Sequence, residues 1–80
     1  MNEKLINKII KYVESKELRV YRGYSGRAMF GRRCIGIVGD LGPAIAAAEY
    51  IKRKTGYEYS RDSMGLEYIA YFSDIEDNGE

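Results

Sequence analysis

What most constrains the fold of this chain is a change of hydrophobic period that occurs twice. Leu5, Ile6, Ile9, Ile10 and Val13 recur at helical spacing, with Lys4, Lys8 and Lys11 on the other face. This predicts an amphipathic helix over roughly residues 2–15, with Asn2 at its cap and Glu3 at the positive end of its dipole. After Ser15-Lys16-Glu17 the period drops to two. Leu18, Val20, Arg22 and Tyr24 alternate with Arg19, Tyr21, Gly23 and Ser25, which is the pattern of a strand. Cys34 to Val38 reads as its partner, with Ile35 and Ile37 on one face and Cys34, Gly36 and Val38 on the other. The connection from about Ser25 to Arg32 is longer than a tight hairpin requires, and such loops often carry function.

The helical period then returns. Asp40-Leu41-Gly42-Pro43 opens a second helix, Asp40 capping it, with Ala44, Ile45, Ala47, Ala48 and Ile51 on the apolar side. Lys52, Arg53 and Lys54 suit its negative end, and Gly56 its C-terminal stop. A second hairpin is expected from Tyr57–Ser60 as one arm, 61–65 as the turn region and Leu66–Phe72 as the other arm. Leu66, Tyr68, Ala70 and Phe72 share one face of that arm and Glu67, Ile69 and Tyr71 the other, which suggests a central strand or an oligomer contact. The whole reads α-β-β-α-β-β: an α+β fold with two helices packed on one face of a small antiparallel sheet. One domain over residues 1–72 is expected, followed by an acidic, disordered tail over 73–80.

Composition narrows function more than it identifies it. Eighty residues leave room for one small core, which buries about 60% of the unfolded chain's surface. The formal charge of +1 hides an asymmetry, because Asp74, Glu76, Asp77 and Glu80 fall at the end of the chain and the remainder is basic. A single cysteine, Cys34, excludes an internal disulfide framework, and the absence of histidine excludes a Cys/His dyad and an ordinary zinc site. No clustered carboxylates suggest general acid–base work, so the expectation is a protein that is not an enzyme and has no cofactor. A reducing cytoplasm fits the cysteine usage, and no apolar run suggests a membrane anchor.

The candidate site lies between the first two strands, where Arg19, Arg22, Arg27, Arg32 and Arg33 crowd among tyrosines and glycines. Guanidinium groups offer paired donors to phosphate, and Tyr21, Tyr24 or Phe30 offers a face on which a base stacks. A second cluster, Asp62-Ser63-Met64-Gly65, sits on the other hairpin, so that Met29 and Met64 would line one adaptable apolar surface flanked by Arg27 and Asp62. The candidate ligand-binding residues are therefore Arg22, Tyr24, Ser25, Arg27, Met29, Arg32, Arg33, Asp62 and Met64. The structural alternative is that the glycines serve turns, the methionines fill core gaps and Arg27 pairs with Asp62.

The run Tyr24-Ser25-Gly26-Arg27-Ala28-Met29-Phe30-Gly31 with Cys34 and Gly36, together with Asp62-Ser63-Met64-Gly65-Leu66 and Ile69-Ala70-Tyr71-Phe72, resembles a group of small proteins carried by bacteriophages and prophages. Their pattern is S-G-R-[GA]-M-[FY]-G-x-x-C-x-G followed by D-[NS]-M-G-L, and the likeness extends over nearly the whole chain. The resemblance implies a phage context inside a host cell, where short proteins of this kind often act in counter-defence. Two functions follow as expectations. The first is a nucleotide-binding sponge for a signalling molecule; nanomolar capture requires about 12 kcal/mol, which implies a homo-oligomer enclosing the ligand. The second is an inhibitor that docks directly on a host defence nuclease or sensor. Tyrosine, eight of the eighty residues, and arginine suit such an interface. Direct nucleic-acid binding ranks below both, since no recognised module accompanies the basic body.

Overall fold

The computed structural model describes residues 3–26 and 29–79. Its elements follow the expected order: α1 (Glu3–Ser15), β1 (Arg19–Tyr24), β2 (Cys34–Gly39), α2 (Leu41–Thr55), β3 (Ser60–Met64) and β4 (Glu67–Glu76). The four strands form one antiparallel sheet in the order β1-β2-β4-β3, so β2 and β4 are central and β1 and β3 are edges. No helix among the described residues is long and apolar enough to cross a membrane.

Both helices pack on one face of this sheet. Ile6, Ile9 and Val13 of α1 and Ala44, Ala47, Ala48 and Ile51 of α2 join Ile35, Ile37, Ala70, Phe72 and Ile75 in the core. Three buried alanines let α2 approach the sheet closely, because a methyl group is all that separates its backbone from β2 and β4. Gly56 ends α2 as expected, in the left-handed conformation at φ 82°, donating its N–H to the Lys52 carbonyl at 2.7 Å. Asp40 occupies the N-cap position, but its carboxylate makes no capping bond; only its carbonyl engages, accepting the Ala44 N–H at 2.9 Å. The Asn2 cap expected for α1 lies outside the described residues.

Three expectations are corrected. The second hairpin turns at Gly65-Leu66 alone, so residues 61–64 belong to β3 and not to a turn region. Gly65 at φ 66° followed by a residue of ordinary φ has the sign pattern of a two-residue II′ turn, which matches the twist of paired strands. Next, the segment expected to be disordered from Ser73 onward is drawn into the fold over residues 73–77. β4 runs to Glu76, Ile75 is fully buried and Asp77 is 4% exposed. Finally, β1 carries a bulge between Tyr21 and Tyr24, where two steps of β2 oppose three of β1. Gly23, at φ 69°, supplies the left-handed residue that such a bulge needs. The extra residue moves Tyr24 onto the same face as Tyr21, whereas strict alternation places them on opposite faces.

Candidate functional site

Among the described residues no second layer of secondary structure covers the sheet face away from the helices, and three tyrosines gather on it. Register aligns Tyr21, Gly36, Tyr71 and Ser60 in one row across all four strands. Gly36 makes the row possible: a Cβ there would lie 2.6 Å from Ile69 Cδ1 and 3.5 Å from Tyr71 Cβ. Across this flat centre the Tyr24 ring meets Tyr71 at 4.8 Å, tilted 45°, and Tyr21 at 5.3 Å, edge to face. Burial, and after it the negative charge of Asp62, raise the Tyr24 phenol above its ordinary pKa, so it stays a neutral hydrogen-bond donor at pH 7. Toward the Gly65 turn the face becomes a shallow trough of about 380 Å³ lined by Tyr21, Val38, Met64 and an ion pair between Arg19 and Glu67.

The described residues of the β1–β2 loop, 25–26 and 29–33, lie at the opposite end of this face. Met29 is the loop's plug. It is 2% exposed, its sulfur receives the Gly26 N–H at 3.3 Å and the Cys34 thiol at 3.8 Å, and its carbonyl accepts the Arg32 N–H at 3.0 Å. With Met29 turned inward, the next residue is left outside: Phe30 is 92% exposed and sits at φ 54°. For a bulky side chain that conformation is an outlier, and it costs on the order of 1–3 kcal/mol that the surrounding loop must offset.

Cys34 lies under this loop, and burial pushes its thiol up to about 11. It is therefore a packing residue and not a nucleophile. Native protein at pH 8 is expected to react with a thiol reagent such as 5,5′-dithiobis(2-nitrobenzoate) at least about 100-fold more slowly than the denatured chain. Fast labelling of folded protein would contradict the burial of this thiol.

The arginines are dispersed. Arg22 turns to the helix side, where its Nε and Nη2 bond the two carboxylate oxygens of Asp77 at 2.6 and 2.9 Å. Arg19 is bound to Glu67. Arg32 and Arg33 are exposed and border an open cleft of about 410 Å³, but Asp74 and Glu76 line that same cleft. Carboxylates thus accompany all four, an arrangement that favours a mixed-charge protein surface over a phosphate cradle.

Of the residues singled out in the sequence, Tyr24, Asp62 and Met64 lie on the open face and Ser25 is exposed at its loop end. Arg27 falls outside the described residues. Met29 is corrected from a surface residue to a buried one, and it does not join Met64: Met29 packs beside Cys34, whereas Met64 pairs with Glu67 at the far end of the sheet. Asp62 accepts the N–H of Ser63 at 2.8 Å. Sequence reasoning misses Tyr71 and Asp77. The alternation of β4 places Tyr71 opposite the core, a signal that could have found it, but nothing local marks Asp77. Among the described residues no group of three or more His, Cys, Asp or Glu side chains is placed to hold a metal ion. Comparison with known protein families, with curated proteins and with solved structures finds no match.

Proposed function

We propose that this is a non-enzymatic binding protein that docks on another protein through its open sheet face and the loop above it. The observation that carries the reading is Phe30, an aromatic side chain held almost wholly in solvent at an unfavourable φ by the inward turn of Met29. Strain of this kind persists where the surrounding structure enforces it, and it clusters at functional sites. Arg32 and Arg33 follow Phe30 in the same loop and are exposed, Tyr21, Tyr24 and Tyr71 cluster on the open sheet face, and aromatic residues and arginine are enriched in protein interfaces. The resemblance to phage proteins makes a host defence nuclease or sensor the expected partner, met in the host cytoplasm.

A second reading rests on the cleft bordered by Arg32 and Arg33, whose guanidinium groups would hold the phosphates of a nucleotide messenger. Asp74 and Glu76 oppose phosphate there, and the open cleft would need a second copy of the chain to enclose the ligand.

The test is affinity capture from host extract with wild type, Phe30→Ala and Leu66→Ala as bait. Leu66 is as exposed as Phe30 but lies at the opposite end of the sheet, so it controls for general stickiness. Phe30→Ala is expected to weaken capture of a discrete protein at least about tenfold, while Leu66→Ala retains it. Equal capture by both variants removes this reading. Native mass spectrometry against a panel of cyclic oligonucleotides distinguishes the second one by a nucleotide-sized adduct.

A further inference from the structure

On the helix side, α1 and α2 do not close against each other along their whole length. They meet where Tyr12 stacks on Tyr50, with ring centroids 4.3 Å apart and planes 14° from parallel. Away from that stack α1 runs back to Leu5 while α2 runs on to Thr55, and between them lies a groove of about 530 Å³. Ile9 and Ile51, each 3% exposed, form its floor, and Leu5 and the two tyrosines its partly buried walls. The Thr55 hydroxyl is already committed, donating to the Ile51 carbonyl at 2.7 Å and accepting the Tyr57 N–H at 3.2 Å. The floor therefore asks for an apolar occupant.

The rim asks for a negative one. Lys8 and Lys54 line the groove, and none of its lining residues carries a carboxylate. The Lys54 ammonium stands 5.5 Å from the centroid of the Tyr50 ring, a cation–π contact that holds it at the groove before any ligand arrives. Lys52, by contrast, faces Glu58 and is paired away from this site. Small-molecule sites are typically apolar hollows of about 300–1,000 Å³ with a few convergent polar groups, and the size and lining here agree with that pattern.

We infer that the groove between α1 and α2 binds a small amphiphilic anion, an acyl or aryl carboxylate whose apolar part lies on Ile9 and Ile51 and whose charge sits between Lys8 and Lys54. The site is separate from the sheet face used in the proposed docking, and neither depends on the other. Sodium decanoate, kept below its micellar concentration, is the probe, and decyltrimethylammonium is its cationic counterpart of equal chain length. Titration calorimetry is expected to show saturable binding of decanoate and none of the cation. Lys8→Ala and Lys54→Ala, both surface changes that leave the far-ultraviolet circular dichroism unchanged, should each weaken decanoate about fivefold. Methyl resonances of Leu5, Ile9 and Ile51 should shift on binding. Equal binding of the cation, unaltered affinity in both lysine variants, shifts confined to the open sheet face, or no saturable binding would each overturn the assignment.

Discussion

Replacing Arg22 by alanine is expected to lower the unfolding free energy by about 2–4 kcal/mol, because it leaves the Asp77 carboxylate buried without its counter-ion. The side chain of Asp77 is 2% exposed and that of Arg22 is 32% exposed, so the carboxylate is the member that water cannot rescue. Removing Asp77 instead should cost less: in Asp77→Asn the remaining guanidinium is one-third exposed and can be solvated. For a domain of eighty residues, with a total stability of roughly 4–12 kcal/mol, the Arg22 loss is a large share. Urea denaturation checks the order of the two variants, and an Arg22→Ala protein as stable as wild type would show that the pair contributes nothing.

The same pair makes acid sensitivity predictable. Burial alone would raise the Asp77 pKa, but the Arg22 hydrogen bond and the backbone N–H groups of Gly79 and Gly23 outweigh it, and the folded value lies below the ordinary 3.8. A carboxyl group whose pKa is depressed on folding contributes its full stability above the unfolded value and loses it as pH falls through the folded one. The contribution is therefore intact at pH 5 and above, begins to decline near pH 4 and is gone below the folded pKa. In Asp77→Asn that part of the acid decline is absent, and a difference between the two proteins that persists unchanged down to pH 2 would refute the linkage.

The second large effect belongs to Gly36. Adding one methyl group there is expected to cost about 1–3 kcal/mol, since its Cβ would lie 2.6 Å from Cδ1 and 2.9 Å from Cγ1 of Ile69, a fully buried side chain with little room to rotate. Gly36→Ala should also disturb the tyrosine cluster, because Tyr71 Cβ stands 3.5 Å from the same point. A relieving change, Ile69→Val, removes Cδ1 and should recover part of the stability in the double variant. Additive losses in that pair would mean that the two side chains do not collide as the geometry indicates.

The helices and the two faces of β2 are legible in the amino-acid sequence because their cause is local. Ile6, Ile9 and Val13 declare a buried helix stripe by spacing alone, and alternation sets Ile35 and Ile37 on one face of a strand in the same way, the face that the structure turns to the core. Gly56 marks a helix end because its left-handed φ is open to it without a Cβ clash. Candidate site residues are legible by type but not by position, as Met29 shows: its sequence neighbours are those of a loop, yet it fills the space beside Cys34.

Sequence by itself determined the order of elements, the division of each central strand into two faces, and the tyrosine and arginine content of the candidate site, since periodicity and residue type act over a few neighbours; which face meets the helices was left to the structure. Tertiary structure alone decided the sheet order β1-β2-β4-β3, the reversal of Tyr24 at the Gly23 bulge, the outward Phe30, and the capture of Asp77 by Arg22. Each of these depends on groups far apart in the chain, Arg22 and Asp77 by 55 positions. A single acidic residue near the end of a chain reads as solvated until a half-buried guanidinium and two backbone N–H groups converge on it, and only folding brings them there.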